Sequence, residues 1–162
     1  ERWVLLHRPL PSNNIYEAHI WISFSPDLKH WGASAQLLPA RKGSWWDAYK
    51  VGLGPPPIET SEGWLIIYHG VKTTAAGSLY RLGLALLDLD DPQKIIARSD
   101  EWVFGPVEPY ERIGDVPDVT FPCGVIIKGD ELIMYYGAAD TSIAIATASI
   151  KEILNYLKNY KK

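Results

Sequence analysis

The chain has 162 residues, 47% hydrophobic and 22% charged, a composition that supports one folded domain and excludes a disordered chain. Its formal net charge of −3 argues against a nucleic acid or an anionic membrane as partner, because both attract clustered lysine and arginine. No apolar run approaches the roughly 20 residues of a membrane span, and the single cysteine, Cys123, cannot form an internal disulfide. We therefore expect a cytoplasmic protein that contacts neither nucleic acid nor membrane.

Most of the chain consists of short apolar runs separated by glycine, proline, asparagine and aspartate, a pattern typical of β-strands joined by turns. In chain order, the predicted strands are 3–7, 19–24, 48–53, 64–69, 82–87, 124–127, 132–136 and 143–148. One helix is predicted after them, because Ser149 and Glu152 have the spacing of a capping box and apolar residues follow at helical spacing. The sequence thus predicts an all-β body over residues 1–148, followed by a C-terminal helix and a solvated basic tail over residues 149–162.

An internal repeat groups these strands. Segments 3–8, 64–69 and 132–137 align without gaps, and each is followed by a second apolar strand. Their spacing suits the four-stranded blades of a β-propeller with long loops, so the chain would hold about two and a half blades. A propeller of typically 4–8 blades cannot close with that number. We expect another segment or chain to complete it; the alternative is that the repeat is coincidental.

The repeat also places polar residues. Arg8, His69 and Gly137 take the same position, at the end of the first strand of each pair. Residues at equivalent strand ends of successive blades converge on the central channel of a propeller. Taken singly, Arg8 or His69 would be interpreted as a surface charge or a hydrogen-bonded histidine, but their shared register makes a functional role an equal alternative.

Two further residues lie in unusual surroundings. Lys50 stands in a predicted strand that enters a glycine-proline turn, where its ammonium is costly to bury unless it meets an anion. Its alternative role is a charge on an edge strand that faces water. Asp140 follows three small residues after an apolar strand, so it could accept hydrogen bonds from two sugar hydroxyls, or form a turn between strands.

Several common sites are absent from the sequence. It has no phosphate-binding glycine loop, no zinc-binding pattern of histidines or cysteines, and no nucleophile elbow. We therefore expect neither a metal nor a cofactor.

Taken together, the polar and aromatic stretches resemble glycoside hydrolase family 130, the inverting β-mannoside phosphorylases. The segments that carry the resemblance are LHRP (6–9), KVGLGPPP (50–57), YHG (68–70), YRLG (80–83), VPDVTFPCG (116–124) and YGAADT (136–141). Each is weak alone, but together they cover nearly the whole chain in one order. The family fold is a five-bladed β-propeller about twice this length, so the chain resembles its C-terminal half.

The resemblance implies roles for five residues. Arg8, Lys50 and His69 match the family's ligands of inorganic phosphate, and the chemistry of an arginine fork, a lysine charge and a histidine suits that anion. Tyr80 and Asp140 match positions that contact the sugar. The family's general-acid aspartate and a further phosphate-binding arginine lie in the N-terminal half, upstream of Glu1. No catalytic residue is therefore assigned in this chain, and the chain alone is expected to be inactive.

The function implied is phosphorolysis of β-1,4-mannosides to α-mannose 1-phosphate, with inorganic phosphate as co-substrate. The expected partners are a β-mannoside oligosaccharide, phosphate, the missing N-terminal half of the propeller, and further copies in a homo-oligomer. Two alternatives remain. One is a hydrolytic β-mannosidase of the same fold, although family members that hydrolyse lack the cationic set. The other is a non-catalytic sugar-binding fragment.

Overall fold

The computed structural model describes residues 2–10, 18–75 and 77–161. Its described strands form three antiparallel sheets that follow one another along the chain. The first sheet has the order β1-β2-β3, with β1 at Trp3–His7, β2 at Ile20–Ser25 and β3 at Gly32–Leu38. The second has the order β4-β6-β7-β8, with β5 paired to β6. Its strands are β4 at Lys50–Leu53, β5 at Ile58–Thr60, β6 at Gly63–Thr74, β7 at Gly77–Leu87 and β8 at Ile95–Arg98.

The third sheet follows a short helix, α1, at Pro109–Arg112. It has the order β11-β10-β9, and helix α2 comes directly after it. The bounds are β9 at Thr120–Lys128, β10 at Glu131–Ala138, β11 at Ser142–Ser149 and α2 at Ile150–Lys158. Three stacked sheets and a C-terminal helix confirm the prediction of an all-β partial propeller.

The repeated segments are the first strands of three hairpins. Strand β1 pairs with β2, β6 with β7 and β10 with β11, all antiparallel. The predicted run 3–7 coincides with β1, whereas the structure extends the other two beyond their apolar residues. The structure also adds elements that the sequence did not predict, namely β3, β5, β8 and α1. Strand β3 is rich in small residues and β5 is only 3 residues long, so neither has the apolar run that marks a strand.

The core lies in two layers, one on each face of the second sheet. Leu65 and Ile67 of β6 belong to a cluster shared with the third sheet and α2. Ile66 and Tyr68, which point the other way, belong to a cluster shared with the first sheet. Because successive side chains of a strand point to opposite faces, one apolar strand stabilises both interfaces. The sheets therefore stack face to face as propeller blades do.

Helix α2 closes the layer between the second and third sheets. The Ser149 hydroxyl accepts a hydrogen bond from the backbone N–H of Glu152, as the predicted cap requires. Leu154 and Leu157 are buried in the shared cluster. The tail is not simply solvated, because Lys158 and Lys161 both pair with Glu62, at 3.0 and 3.1 Å. No helix among residues 2–10, 18–75 and 77–161 is long and apolar enough to cross a membrane.

A buried ionic network lies where the chain enters the second sheet. The carboxylate of Asp47, which is 0% exposed, accepts hydrogen bonds from Arg98 at 2.7 Å, Arg41 at 2.8 Å and the Tyr68 hydroxyl at 3.1 Å. Burial raises the pKa of Tyr68, so its hydroxyl stays protonated and can donate. Asp47 thereby fixes the segment that leads into β4, three residues before Lys50.

Candidate active site

Three cationic or potentially cationic side chains converge at one end of the first two sheets. Arg8 follows β1 directly, Lys50 begins β4, and His69 lies in β6 opposite Gly52. A Cβ built at Gly52 would lie 2.5 Å from Nε2 of His69 and 2.8 Å from Nη1 of Arg8, so the two side chains face the same point. The charges of Arg8 and Lys50 both act on His69, so the three residues that the family resemblance groups as phosphate ligands lie near one another; their role stays a prediction.

Aromatic rings enclose His69. Its ring centroid lies 6.1 Å from that of Tyr80 in a stacked arrangement, and 4.6 Å from that of Phe121 in β9. The Lys50 ammonium lies 5.4 Å from the centre of the Tyr80 ring. His69 is 4% exposed, and its Nδ1 lies 3.0 Å from the carbonyl oxygen of Leu53. Residues of the second and third sheets therefore hold this imidazole in a fixed orientation.

The electrostatics keep His69 neutral. Burial, the largest cause, and the positive charges of Arg8 and Lys50 together lower the pKa of its imidazole to about 4, although the hydrogen bond to Leu53 acts in the opposite direction. The fixed charge of the cluster is therefore carried by Arg8 and Lys50. Both side chains are only half-buried, so an anion can reach them from solvent.

Gly52 has a steric role in this arrangement. The same Cβ position lies 2.4 Å from Cε1 of His69, a separation that real Cβ atoms do not show. Any side chain at position 52 would have to displace the imidazole or the guanidinium. The glycine therefore lets β4 run directly beneath both groups.

Substituting Gly52 tests this close approach. We expect Gly52→Ala in the complete protein to weaken the binding of inorganic phosphate by about tenfold or more, because one charge-assisted hydrogen bond is lost when His69 or Arg8 moves. Titration calorimetry would measure the change. Gly124→Ala is the matched control, since Gly124 also lies in a strand and a Cβ there meets nothing within 4 Å. Equal phosphate affinities for the two variants would contradict the prediction.

Asp140 lies in a tight turn at the end of the third sheet. Ala139 and Asp140 have φ values of 48° and 51°, the left-handed region that few residues other than glycine adopt readily. The Thr141 hydroxyl donates to the carbonyl of Ala139 at 3.0 Å and accepts from the backbone N–H of Asp115 at 3.0 Å. A Cβ at Gly114 would lie 2.4 Å from that hydroxyl oxygen. The chain before β9 therefore packs against the turn and holds its conformation.

The structure brings together four of the five predicted site residues, namely Arg8, Lys50, His69 and Tyr80. None of the described contacts joins Asp140 to them, and its side chain is exposed. Its turn nevertheless continues β10 beyond Gly137, which pairs with Phe121, the residue that packs on His69. Asp140 thus lies at the same end of the sheets, and its role stays a prediction.

Sequence reasoning missed three contributors. Phe121 lies within segment 116–124, which carries the family resemblance, but nothing in the sequence indicates that it contacts His69. The Leu53 carbonyl acts through the backbone and leaves no signal in the side-chain pattern. Asp47 precedes the lysine motif, and its partner Arg98 is 51 residues away in the chain. No group of three or more possible metal ligands occurs among the residues that the structure describes.

Known proteins resemble this chain in sequence over nearly its whole length. A family model described as beta-1,4-mannooligosaccharide phosphorylase, of glycoside hydrolase family 130, matches residues 2–159. The chain belongs to this family. It is 38% identical to a beta-1,4-mannooligosaccharide phosphorylase of Ruminococcus albus, over 98% of this chain and 48% of the relative.

Solved structures agree with the family 130 assignment. A beta-1,2-mannobiose phosphorylase from Listeria innocua, solved with beta-1,2-mannobiose, superposes with a TM-score of 0.88 at 44% identity and covers 98% of this chain. A structure from work on GH130 glycoside hydrolases that target beta-1,2 mannosidic linkages in Candida mannan has a TM-score of 0.71 at 26% identity, over 91% of this chain and 48% of that one. This family 130 chain spans about half the length of the curated relatives it matches.

Proposed function

We propose that the complete protein carrying this chain is an inverting phosphorylase that cleaves β-1,4-mannosides with inorganic phosphate and releases α-mannose 1-phosphate. The observation that supports this most is the cluster of Arg8, Lys50 and His69. The Arg8 guanidinium and the His69 imidazole face one point above Gly52, and the Lys50 charge lies close enough to act on His69. Such a site suits a tetrahedral dianion.

Phosphorolysis requires few catalytic groups from this part of the protein beyond the phosphate ligands. Phosphate is already an anionic nucleophile, so the second carboxylate with which an inverting hydrolase activates water is not required. Arg8 and Lys50 would hold phosphate on the face of the sugar opposite the leaving group, and its attack there inverts the anomeric carbon. A general acid outside this chain would give a proton to the departing oxygen. The cluster contributes by positioning and by charge.

The proposal also specifies the glycosidic linkage of the substrate. The matching family model and the Ruminococcus albus relative are both named for beta-1,4-mannooligosaccharides, which favours a β-1,4-mannoside as substrate. The Listeria innocua relative, named for beta-1,2-mannobiose, makes the β-1,2 linkage the competing choice.

Hydrolysis is the second candidate activity, because hydrolases of the same family share this fold at lower identity. The cationic cluster favours phosphorolysis, since a hydrolase has no use for a phosphate site. The test is to incubate the complete protein with β-1,4- and β-1,2-mannobiose, with and without phosphate, and to follow mannose 1-phosphate by ³¹P NMR and free mannose by chromatography. We expect mannose 1-phosphate to form, only when phosphate is present and faster from the β-1,4 disaccharide. Mannose released at the same rate without phosphate would instead establish hydrolysis.

Asp140 and Tyr80 are proposed to bind the mannoside. We expect Asp140→Asn to lower kcat/KM for the mannoside by about 10- to 100-fold, because it replaces a hydroxyl acceptor with a donor at a cost of roughly 1–3 kcal/mol. Asparagine tolerates the left-handed backbone as well as aspartate does, so the turn should persist. Steady-state kinetics would measure the effect, and unchanged turnover in a folded variant would make Asp140 a purely structural residue.

The remaining parts of the proposal concern the setting of the enzyme. We propose that it works in the cytoplasm without metal or cofactor, and that it forms a homo-oligomer. We also propose that an N-terminal half of the propeller packs on the third sheet, where Ile143 and Ile145 are 83% and 56% exposed. Light scattering on the complete protein would test the oligomer, and metal analysis of the purified enzyme would test the absence of metal.

A further inference from the structure

The two ring nitrogens of His69 have different roles. Nδ1 lies 3.0 Å from the carbonyl oxygen of Leu53. A carbonyl oxygen can only accept, so Nδ1 carries the hydrogen and donates it. This is the only side-chain hydrogen bond of His69 within the described part of the chain. The state of Nε2 therefore decides what the imidazole offers to a ligand.

The surroundings leave Nε2 without a proton. Burial and the charges of Arg8 and Lys50 lower the pKa of His69 to about 4, so at neutral pH the ring has a single hydrogen, which Nδ1 holds. The groups that face the ring from the other elements are Arg8, Lys50, the Tyr80 ring and the apolar Phe121. None of them is a carboxylate that could favour an imidazolium. Nε2 is thus an acceptor.

This acceptor lies among donors. Nε2 and Nη1 of Arg8 face the same point above Gly52, at 2.5 and 2.8 Å from the position of a Cβ there. An anion that takes hydrogen bonds from Arg8 therefore brings one of its oxygens toward Nε2. If that oxygen carries no hydrogen, two lone pairs meet in a half-buried site, and the hydrogen bond is replaced by repulsion.

We propose that His69 makes this site selective for tetrahedral anions that carry a proton, such as hydrogen phosphate and hydrogen arsenate, over sulfate. Hydrogen phosphate accepts from Arg8 and Lys50 through its unprotonated oxygens and donates its own O–H to Nε2. Sulfate has the same shape and charge but no hydrogen at neutral pH. This inference rests on the proposed phosphate site and adds the basis of its choice among anions.

The test is a comparison of anion affinities by titration calorimetry on the complete protein at pH 7.5 and constant ionic strength. We expect arsenate to bind within about threefold of phosphate, and sulfate to bind at least about tenfold more weakly, because sulfate leaves one hydrogen bond mismatched. Sulfate that binds within threefold of phosphate in the wild type would overturn the proposal. So would the absence of any phosphate binding.

Two variants separate the effect of the Nε2 acceptor on anion binding from the effect of the positive charges. His69→Gln offers an amide that can donate or accept by rotation, so we expect the preference for phosphate over sulfate to fall to about threefold or less. Lys50→Ala is the matched control, because a lysine only donates. It should weaken both anions alike and preserve their ratio. A preserved ratio in His69→Gln would overturn the proposal.

An NMR experiment tests the proton directly. With ¹⁵N-labelled histidine, long-range imidazole spectra should show His69 protonated at Nδ1 alone at pH 7.5, both free and with phosphate. Protonation of Nε2 in the free protein would overturn the proposal. Because these measurements need no turnover, they are independent of the proposed activity. A protein that discriminates the two anions but cleaves no mannoside would refute the phosphorylase and leave the selectivity standing.

Discussion

Replacing Arg8 or Lys50 with alanine in the complete protein should raise the phosphate KM of the proposed phosphorolysis by about 10- to 100-fold and leave the mannoside KM within about threefold. Each substitution removes a charge-assisted hydrogen bond, which contributes roughly 1.5–3 kcal/mol. The loss should appear in phosphate rather than sugar binding, because both groups lie with His69 around Gly52, at the end of the first two sheets. Initial rates over a matrix of phosphate and mannoside concentrations would separate the two constants.

A charge elsewhere on the second sheet provides the control. Lys94, just before β8, is exposed and lies 3.9 Å from Asp88. Lys94→Ala changes the net charge as Lys50→Ala does, and it should leave the phosphate KM unchanged. If Arg8→Ala, Lys50→Ala and His69→Ala all retain wild-type phosphate kinetics, the phosphate site lies elsewhere in the protein.

Asp47→Ala should lower the free energy of unfolding by about 3–5 kcal/mol, the largest stability effect that we expect from a single substitution in this chain. The reason is the charge left behind. Arg98 is 8% exposed, and without Asp47 its guanidinium would be buried without a counter-charge. Arg41 would lose its shorter ion pair, at 2.8 Å, and the Tyr68 hydroxyl would lose its acceptor. Urea denaturation of the complete protein would measure the loss.

Asp100 offers a comparison within the same network. Its carboxylate also pairs with Arg41, at 3.3 Å, but its side chain is 57% exposed. Exposed pairs contribute little, so Asp100→Ala should cost less than about 1 kcal/mol. Similar losses for Asp47→Ala and Asp100→Ala would show that burial does not set the strength of this network.

The sequence predicted the hairpins better than the sheets that contain them. Strand β1 and the first strands of the other two hairpins have continuous apolar runs, which are visible in the sequence. Strand β3 could not be predicted in the same way, because Gly32 begins it and small residues fill its first half. The short β8 at Ile95–Arg98 adds only four residues after an aspartate- and proline-rich turn.

The site residues also divide into those that could be predicted from the sequence and those that could not. Arg8 and His69 could be paired from the sequence because a repeat fixes their register, and a repeat is visible along a single chain. Phe121 and Arg98 act on partners in other elements, and such contacts depend on how the sheets stack. The steric role of Gly52 likewise depends on how closely the backbone of β4 approaches the side chains of His69 and Arg8, and no local sequence pattern encodes that distance.

The cluster around Gly52 has a consequence for the protein as a whole. Arg8 and Lys50 both place a positive charge near His69; Arg8 directly follows a strand of the first sheet, and Lys50 lies in a strand of the second. An anion that binds both would link the first two sheets, and it would bind the folded chain alone. By mass action, such a ligand at 100 times its Kd adds about 2.7 kcal/mol to the stability of the fold. The melting temperature of the complete protein would then rise with phosphate concentration, so bound phosphate would protect the protein from unfolding and proteolysis.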